Sequence, residues 1–436
     1  MSIEQHYPAH LDQVKRRFDQ ALQASNCDAA IVYSGGLKIA YQDDLRYPFI
    51  PNHHFKEWVP LTNHPECFVV YERLGKPKLI YYQPKDYWHT TPTAPQGFWT
   101  DRFDIETIEK PEQAWELLPK YNALWIGPEQ DSGNLAPKAV NSKSALSALH
   151  YERAYKTDYE VACISKANEV AALGHVAAKN AFFDGRSEFD INSAYLTATR
   201  SKEHQLPYGN IVALNEHGAI LHYDVTDENT PAQHHSFLID AGAQHHGYAA
   251  DITRTYSFED VGFEDLIQAM DEQQQDLIHN ISIGQSYLDL HIEMHRRIAK
   301  LLNDFDIVDL SEEAMIANNV TSTFFPHGLG HHLGLCVHDL GGMLADRKGN
   351  TLEQPEQHPF LRNLRKVEVG NVLTIEPGLY FIDMLLEELE ASSLRRSVNW
   401  ARVEHLKKFG GIRIEDNVWI SDQGPINLTR QTNLDG

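Results

Sequence analysis

The segment Phe237-Leu-Ile-Asp240-Ala-Gly-Ala-Gln-His-His-Gly-Tyr-Ala-Ala-Asp251-Ile-Thr-Arg-Thr-Tyr256 decides how the rest of the chain is interpreted. An apolar run, two glycines and an alternating run predict two strands joined by a glycine-containing connection. Folding back brings the carboxylates of Asp240 and Asp251 side by side. Like charges repel at that separation, so the pair needs a shared proton or a cation. The alternative is two strand-end aspartates in solvent, because Asp is common at strand ends and turns.

Three later segments add side chains that bind metals. Residues 327–339 are rich in His and broken by Gly, and Glu376 ends an apolar strand before a Pro-Gly turn. In residues 410–416 polar and apolar positions alternate, which places Arg413 and Glu415 on one face. Two Asp, one His and two Glu therefore form a possible ligand set.

These residues give the chain a resemblance to the metallopeptidases of the pita-bread fold, which include methionine aminopeptidase, aminopeptidase P and prolidase. Within that group it is similar to the bacterial prolidases also known as organophosphorus acid anhydrolases. The resemblance covers nearly the whole chain and is strongest over residues 151–416. It implies an α+β protein with a C-terminal pita-bread (creatinase/aminopeptidase-like) catalytic domain at 156–436 and a smaller N-terminal α/β domain of creatinase type at 1–155.

The resemblance also implies a dinuclear metal centre. Asp251 and Glu415 would bridge two ions, Asp240 would hold one of them, and His331 and Glu376 the other. Four carboxylates carry a charge of −4 that two divalent ions balance, and such hard oxygen ligands favour Mn(II) over thiolate-seeking zinc. The alternative for the four histidines of this region is that they only pack in the interior.

Hydrolytic roles follow from the same resemblance. Glu376 would take a proton from water and pass it to the leaving nitrogen. The nitrogen of a bond to proline has no hydrogen of its own, so it must be protonated to leave. His338, with His222, would donate hydrogen bonds where the carbonyl oxygen becomes negative.

Substrate selection depends on what binds the far end of the substrate. Arg413 can take the free C-terminal carboxylate of a dipeptide bidentately. The alternative for Arg413 is an ion pair with a metal-bridging carboxylate. Arg362 falls where prolidases carry a second carboxylate-binding arginine. Tyr208 and His327 are expected to line the pocket.

Two segments of the N-terminal region, 42–47 and 86–89, combine aromatic and charged residues that are too polar for a core. In the prolidases that the chain resembles, the N-terminal domain of one subunit reaches over the active site of its neighbour in a homodimer. The resemblance implies that Asp44 and Trp88 make such capping contacts. The alternative is that both segments are ordinary surface loops.

Composition narrows the class of protein. The 436 residues carry a formal net charge of −23, which argues against nucleic acid or an anionic membrane surface as partner. The four cysteines are scattered without a CxxC pair, so neither a disulfide framework nor a thiolate zinc site is indicated. A signal-like N-terminus and an apolar run of about 20 residues are both missing. We therefore expect a cytoplasmic protein.

Periodicity and capping signals predict the other elements. The segment 137–148 reads as a linker, and 384–408 as a charged surface insertion. Helices are predicted at 11–24, 111–121, 157–181, 187–199, 263–281 and 286–303, and strands at 29–33, 67–71, 79–82 and 124–127.

The function that these features favour is hydrolysis of Xaa-Pro dipeptides, with side activity on organophosphorus triesters and fluoridates. A tetrahedral phosphorus centre resembles the intermediate of amide hydrolysis and would meet the same catalytic groups. One alternative is an aminopeptidase P-type exopeptidase acting on longer Xaa-Pro peptides. Another is a non-catalytic pita-bread protein that binds peptides, although such relatives should lack metal ligands.

Overall fold

The computed structural model describes residues 2–434 and consists of two compact units. The first comprises residues 2–163, 246–248 and 344–351, and the second comprises 164–245, 249–343 and 352–434. The chain thus passes from the first unit to the second after residue 163 and returns to the first unit at residues 246–248 and again at 344–351. None of the described helices is both long enough and apolar enough to cross a membrane.

The first unit is built on a mixed six-stranded sheet of order β4-β3-β2-β1-β5-β6. β1 is buried at all five positions, as its continuous apolar sequence predicts for a central strand. It pairs antiparallel with β2 and parallel with β5. The elements are β1 Ala29–Tyr33, β2 Phe68–Glu72, β3 Lys78–Tyr82, β4 Asp104–Ile108, β5 Ala123–Ile126, β6 Ala139–Val140, α1 Ile3–Ser25, α2 His53–Trp58, α3 Ala114–Leu117 and α4 Lys143–Glu152.

Most of the predictions for this unit are confirmed, with two corrections. β2 and β3 form the expected antiparallel hairpin. The helix predicted at 111–121 is only α3 with a preceding 3-10 turn, because Leu118 is extended before Pro119. The linker prediction for 137–148 is wrong. That segment supplies the edge strand β6 and the start of α4, whose Ala145, Ala148 and Leu149 are buried.

A buried ion cluster centres on Arg17 of α1, which is 1% exposed. Its Nη1 donates to Glu57 Oε1 at 2.7 Å and its Nη2 to Glu160 Oε2 at 3.2 Å. Burial opposes ionisation of Glu57, but the nearby His54 ring and the charges of Arg17 and Arg153 prevail and lower its pKa. The two carboxylates therefore remain charged in the interior, and Arg17 is the cation that pairs with both of them.

Substituting Arg17→Met is expected to lower the free energy of unfolding by about 3 kcal/mol, because two buried carboxylates lose their counter-ion. The measurement is equilibrium urea unfolding followed by the fluorescence of the buried Trp58 and Trp125. Arg16→Met is the matched control, because Arg16 is exposed and, among the described residues, its side chain bonds only to Gln13 of its own helix. Equal destabilisation by both variants would contradict the assignment.

The second unit combines antiparallel strands with helices. Its two three-stranded sheets have the orders β11-β8-β7 and β12-β15-β16. A two-stranded ladder pairs β13 with β14. The strands are β7 Ile211–Leu214, β8 Ser236–Asp240, β9 Gln244–His245, β10 Tyr248–Ala249, β11 Thr253–Ser257, β12 Val372–Ile375, β13 Gly378–Tyr380, β14 Gly411–Arg413, β15 Asp416–Ser421 and β16 Gly424–Asn427.

The helices of this unit begin close to the predicted positions. Ser187 caps α6 by accepting a hydrogen bond from the Asp190 N–H at 3.2 Å, as a capping serine should. The α8 side chains Leu290, Met294 and Ile298 recur every four residues and are buried in the main core. The helices are α5 Asp158–Phe183, which starts in the first unit, α6 Glu188–Thr199, α7 Val261–His279, α8 Tyr287–Asp304, α9 Glu312–Ala317, α10 Val320–Phe324, α11 Asp383–Ala391 and α12 Trp400–Lys407.

The predicted surface insertion at 384–408 is part of the core. α11 buries Leu386 and Leu389, and α12 buries Val403 and Leu406, all in the same apolar cluster as α7 and α8. Charged residues on the outer faces of both helices concealed this apolar spacing in the sequence. The α+β class predicted for the chain is confirmed by both units.

Candidate metal centre and its cavity

The two aspartates lie together because of the strand register. β8 pairs antiparallel with β11 so that Asp240 is opposite Thr253, and Asp251 is two residues before that position. Asp251 is held from outside the hairpin, since its backbone N–H donates to Asn417 Oδ1 at 3.1 Å and the Asn417 amide donates back to its carbonyl. The predicted pair of strands is present, with the short β9 and β10 inserted in its connection.

Glu415 is hydrogen-bonded to this hairpin at Thr253. The Glu415 N–H donates to the Thr253 carbonyl at 3.0 Å, and Thr253 Oγ1 donates to Glu415 Oε2 at 2.8 Å. Arg254 Nη1 donates to the Glu415 carbonyl at 3.0 Å, while its Nη2 pairs with Asp416 at 2.8 Å. Backbone and side chain of Glu415 are therefore both fixed before any ion binds.

A close backbone crossing places His331 beside β12. The His331 N–H donates to Thr374 Oγ1 at 3.0 Å, and the Thr374 N–H donates to the His331 carbonyl at 2.9 Å. Gly330 makes this possible, because a Cβ there would lie 2.2 Å from the Thr374 carbonyl oxygen and its φ is +154°. Glu376 follows directly after the same strand.

The ring of His331 is oriented for ligation. Its Nδ1 donates to the His332 carbonyl at 3.0 Å, which leaves the Nε2 lone pair available. Nε2 lies 3.4 Å from Asp251 Oδ2 and 3.6 Å from Glu376 Oε1. The donor atoms of Asp251, His331 and Glu415 all lie within 4.8 Å of one another.

The electrostatics of the cluster fit divalent cations. Burial and the neighbouring carboxylates raise the pKa of Glu376 to about 7 and that of Glu415 well above its usual value. Burial also raises the pKa of Asp240, with Asp251 adding and Arg413 opposing. Within residues 2–434, Asp240 Oδ1 and Glu415 Oε1 are buried without a hydrogen-bond partner. Oxygen atoms that no donor satisfies are what a hard cation would bind.

Arg413 forms an ion pair, but its partner is Asp240 and not either of the two carboxylates that are expected to bridge the ions. Its Nη2 donates to Asp240 Oδ2 at 2.9 Å and its Nη1 to the Tyr380 hydroxyl at 3.0 Å, and the residue is 4% exposed. Tyr380 in turn contacts His327 Nε2 at 2.9 Å, while His327 Nδ1 donates to the Gly328 carbonyl at 2.9 Å. Arg413 therefore orients the Asp240 carboxylate and, through Tyr380, the His327 ring, and both of its terminal nitrogens already donate hydrogen bonds.

A cavity of about 950 Å³ opens over the five donors. The His338 ring is perpendicular to that of His331, with centroids 4.4 Å apart. Burial and the charges of His331 and Arg362 lower the pKa of His338 to about 4, so the ring is neutral at pH 7. The predicted residues that line this cavity are Asp240, Asp251, His331, Glu376, Glu415, His222, His338, His327, Tyr208, Arg362 and Arg413.

Three predicted substrate residues occupy different environments. Tyr208 is half-buried among Asp240 and Asp251, whose charges add to burial in raising its pKa. Arg362 is exposed, and within residues 2–434 its guanidinium makes no hydrogen bond or ion pair. Asp44 and Trp88 belong to the first unit and are exposed, Trp88 at 76%, whereas the residues lining the cavity all belong to the second unit.

Comparison with known proteins places the chain in a family. Residues 5–151 match the model described as Xaa-Pro dipeptidase, N-terminal domain, and residues 162–422 match the model described as metallopeptidase family M24. The chain belongs to metallopeptidase family M24. Membership implies a dinuclear site for divalent ions, in agreement with the unsatisfied carboxylate oxygens.

Curated M24 relatives are similar over their whole length. The Xaa-Pro dipeptidase of Pseudoalteromonas translucida (strain TAC 125) is 48% identical, with 98% of each chain covered. That of Shewanella woodyi (strain ATCC 51908 / MS32) is 46% identical, with 99% of each covered. Escherichia coli aminopeptidase P in complex with substrate has a TM-score of 0.73 at 23% identity, covering 98% of this chain and 95% of that one. This likeness confirms the expected pita-bread fold.

Several residues that build this M24 site were not identified by the sequence analysis. Thr253, Arg254 and Asn417 position Asp251 and Glu415, and Tyr380 links Arg413 to His327. A local signal existed for Thr253 and Arg254, which directly follow the aspartate motif. No local signal existed for Asn417 or Tyr380, because their hydrogen-bond partners are 166 and 53 residues away in the sequence.

Proposed function

We propose that the chain hydrolyses Xaa-Pro dipeptides that carry a free C-terminal carboxylate. The observation that carries this proposal is the cavity over the five donors, in which Arg362 presents a guanidinium that has no hydrogen-bond or ion-pair partner in the described part of the chain. The carboxylate of the substrate would form an ion pair with that guanidinium. The full-length similarity to proteins named Xaa-Pro dipeptidase supports the same substrate class.

We assign two divalent ions, Mn(II) in the native protein, to Asp240, Asp251, His331, Glu376 and Glu415. Four carboxylates and one imidazole are hard ligands that suit manganese. When bound, such a pair supplies a water of lowered pKa and polarises the carbonyl that is attacked. The orphaned oxygens of Asp240 and Glu415 support this ligand set.

The proton transfers belong to Glu376. Its carboxylate is 18% exposed toward the cavity and adjoins both His331 and His327, so it can receive a proton from the attacking water and deliver it to the proline nitrogen. His338 is neutral and exposed in the cavity, where its ring N–H can donate to the carbonyl oxygen as negative charge develops. His222, also exposed in the cavity, is assigned a supporting donor role.

Arg362→Ala is expected to lower kcat/KM for Ala-Pro by about 10–100-fold, mainly through KM, because a charge-assisted hydrogen bond to the substrate carboxylate is lost. Ala-Pro amide, which has no carboxylate, should be cleaved almost equally by both proteins. Steady-state kinetics on the two substrates provides the test, with Lys366→Ala as control for a nearby exposed cation. Equal losses on both substrates would contradict the role of Arg362.

The same assay decides between exopeptidase classes. Faster cleavage of Ala-Pro-Ala than of Ala-Pro would favour an aminopeptidase P-type activity over a dipeptidase. Non-catalytic peptide binding predicts no bound metal and no turnover after Mn(II) loading. Turnover of a phosphotriester and a fluoridate in the same preparation tests the proposed organophosphorus side activity.

We further propose a cytoplasmic homodimer in which Asp44 and Trp88 cap the neighbouring subunit's cavity. The strong exposure of Tyr87 and Trp88, at 88% and 76%, supports a contact surface on the first unit. All four cysteines are free thiols, which supports a reducing compartment. Sedimentation of wild type and Trp88→Ala tests the dimer, and a monomeric wild type would overturn it.

A further inference from the structure

Three histidines outside the M24 centre point their ring nitrogens at one another. His291 and His295 are four residues apart on α8 and therefore share a face, and His358 comes from a later irregular segment. His291 Nε2 lies 3.0 Å from His358 Nδ1 and 3.1 Å from His295 Nε2. The ligand atoms of all three rings lie within 4.8 Å of one another.

The hydrogen-bond pattern is compatible with three ring lone pairs that face one point. His295 Nδ1 lies 2.8 Å from Thr321 Oγ1, and when that nitrogen donates, Nε2 of the same ring is a lone pair. Three imidazole lone pairs around one point are better satisfied by a cation than by a single shared proton, and Thr321 orients His295 as outer partners of ligating histidines commonly do.

Distances and burial fit a tetrahedral ion. Ligand nitrogens that each lie about 2.0–2.1 Å from zinc are separated by roughly 3.3 Å in tetrahedral geometry, close to the observed 3.0 and 3.1 Å. Both α8 histidines are 2% exposed and His358 is half-buried, so the fourth position can hold water on the His358 side. Burial lowers the pKa of His291 to about 2 and that of His295 to about 3, and both rings are therefore neutral.

We propose that His291, His295 and His358 form a mononuclear site for a divalent ion of the zinc class. The site is distinct from the M24 centre, because none of its ligands belongs to that donor set. Nitrogen-only ligation also selects a different ion, since imidazole suits zinc, copper and nickel whereas carboxylate suits manganese. The proposal goes beyond the peptidase activity and does not depend on it.

An ion in this site would fix a segment that reaches the substrate cavity. His358 precedes Phe360 and Arg362, which both line the cavity. Gln354 Nε2 already bridges this turn by donating to the Pro359 carbonyl at 2.6 Å and the Leu361 carbonyl at 3.0 Å. Joining His358 to α8 through a metal ion would hold Arg362 on a rigid support.

The cluster also adjoins the M24 pocket through one aromatic ring. Phe325 lies 5.0 Å from the His295 ring on one side and 4.9 Å from the His327 ring on the other, as centroid distances. Occupancy is therefore expected to alter substrate affinity more than the chemical step. In kinetic terms, zinc binding should change KM while kcat stays within about twofold.

The first test counts metal. Full-length wild type equilibrated with Zn(II) and freed of excess ion should hold three equivalents by elemental analysis, and His358→Ala should hold two. His279→Ala is the matched control, because His279 is exposed at the end of α7 and outside the cluster, and it should hold three. Two equivalents in all three proteins would overturn the site.

The second test uses a variant with a disabled M24 centre, so that only ions bound elsewhere are measured. The isosteric double variant Asp251→Asn, Glu415→Gln should still bind one Zn(II), with a rise of several degrees in Tm, and adding His358→Ala should abolish both. Circular dichroism establishes that each variant is folded before titration. If the Tm rise persists in the triple variant, the ion binds elsewhere and the proposal fails, and if the double variant binds no zinc, the histidines are only hydrogen-bonded core residues.

Discussion

Glu376→Gln is expected to lower kcat for Ala-Pro by about 10³-fold or more, since it removes both a metal-ligating charge and the acceptor for the transferred proton. Gln has nearly the same shape as Glu, so the backbone contact of residue 376 with Leu329 at 2.8 Å should remain. Stopped or steady-state assays on the Mn(II)-loaded enzyme, with circular dichroism as the check on folding, provide the measurement.

Two comparisons sharpen this experiment. Glu353→Gln changes an exposed glutamate of the same unit and should retain full activity. Metal content by elemental analysis then separates the two roles of Glu376: two ions with no turnover indicates a lost proton acceptor, whereas one ion indicates a lost ligand. Retention of more than a tenth of the wild-type kcat would contradict both roles.

Chelation is expected to abolish turnover completely and to make the stability of the protein depend on pH. Without ions, burial and carboxylate repulsion raise the pKa of Glu376 from 4.5 to about 7, and those of Glu415 and Asp240 rise as well. A carboxyl group with a raised folded-state pKa stabilises the folded protein fully below its unfolded pKa. That stability is lost as pH rises through the folded value, because the folded state must then bear unneutralised charge.

For Glu376 the window runs from about pH 4.5 to about pH 7, and the loss amounts to about 3 kcal/mol at 1.36 kcal/mol per pKa unit. Urea unfolding of metal-free wild type and metal-free Glu376→Gln at pH 5 and pH 8 isolates this group, since Gln does not titrate. The wild type should lose more stability between the two pH values, and added Mn(II) should restore it at pH 8. Parallel pH dependence of the two proteins would contradict the prediction.

The parts of this fold that the sequence predicts are those with a local cause. Capping residues and apolar spacing locate α6, α7 and α8 within a few residues. The aspartate hairpin follows from alternation around two glycines, and its register brings the two carboxylates together. The choice of His331 among four neighbouring histidines came from resemblance, since its distinction is a backbone contact with Thr374, 43 residues away.

What the sequence could not decide was the partner of each charged group. Alternation placed Arg413 near Glu415 but could not show that its guanidinium pairs with Asp240, which is 173 residues away. The composition of α11 and α12 predicts an insertion because charged residues dominate it, whereas the burial of these helices depends on α7 and α8 packing against them. Such outcomes are set by tertiary packing, which local propensity does not encode.

The five donors of the M24 centre come from separate segments, and the last of them is Glu415, held against Thr253 by a backbone hydrogen bond of 3.0 Å. During synthesis on the ribosome, the earlier ligands emerge long before this one is made. A nascent chain therefore has no complete site to capture an ion. A complete ligand set therefore requires Glu415 to fold against Thr253, so the ion that occupies the site reflects the metal pool that the folded protein encounters.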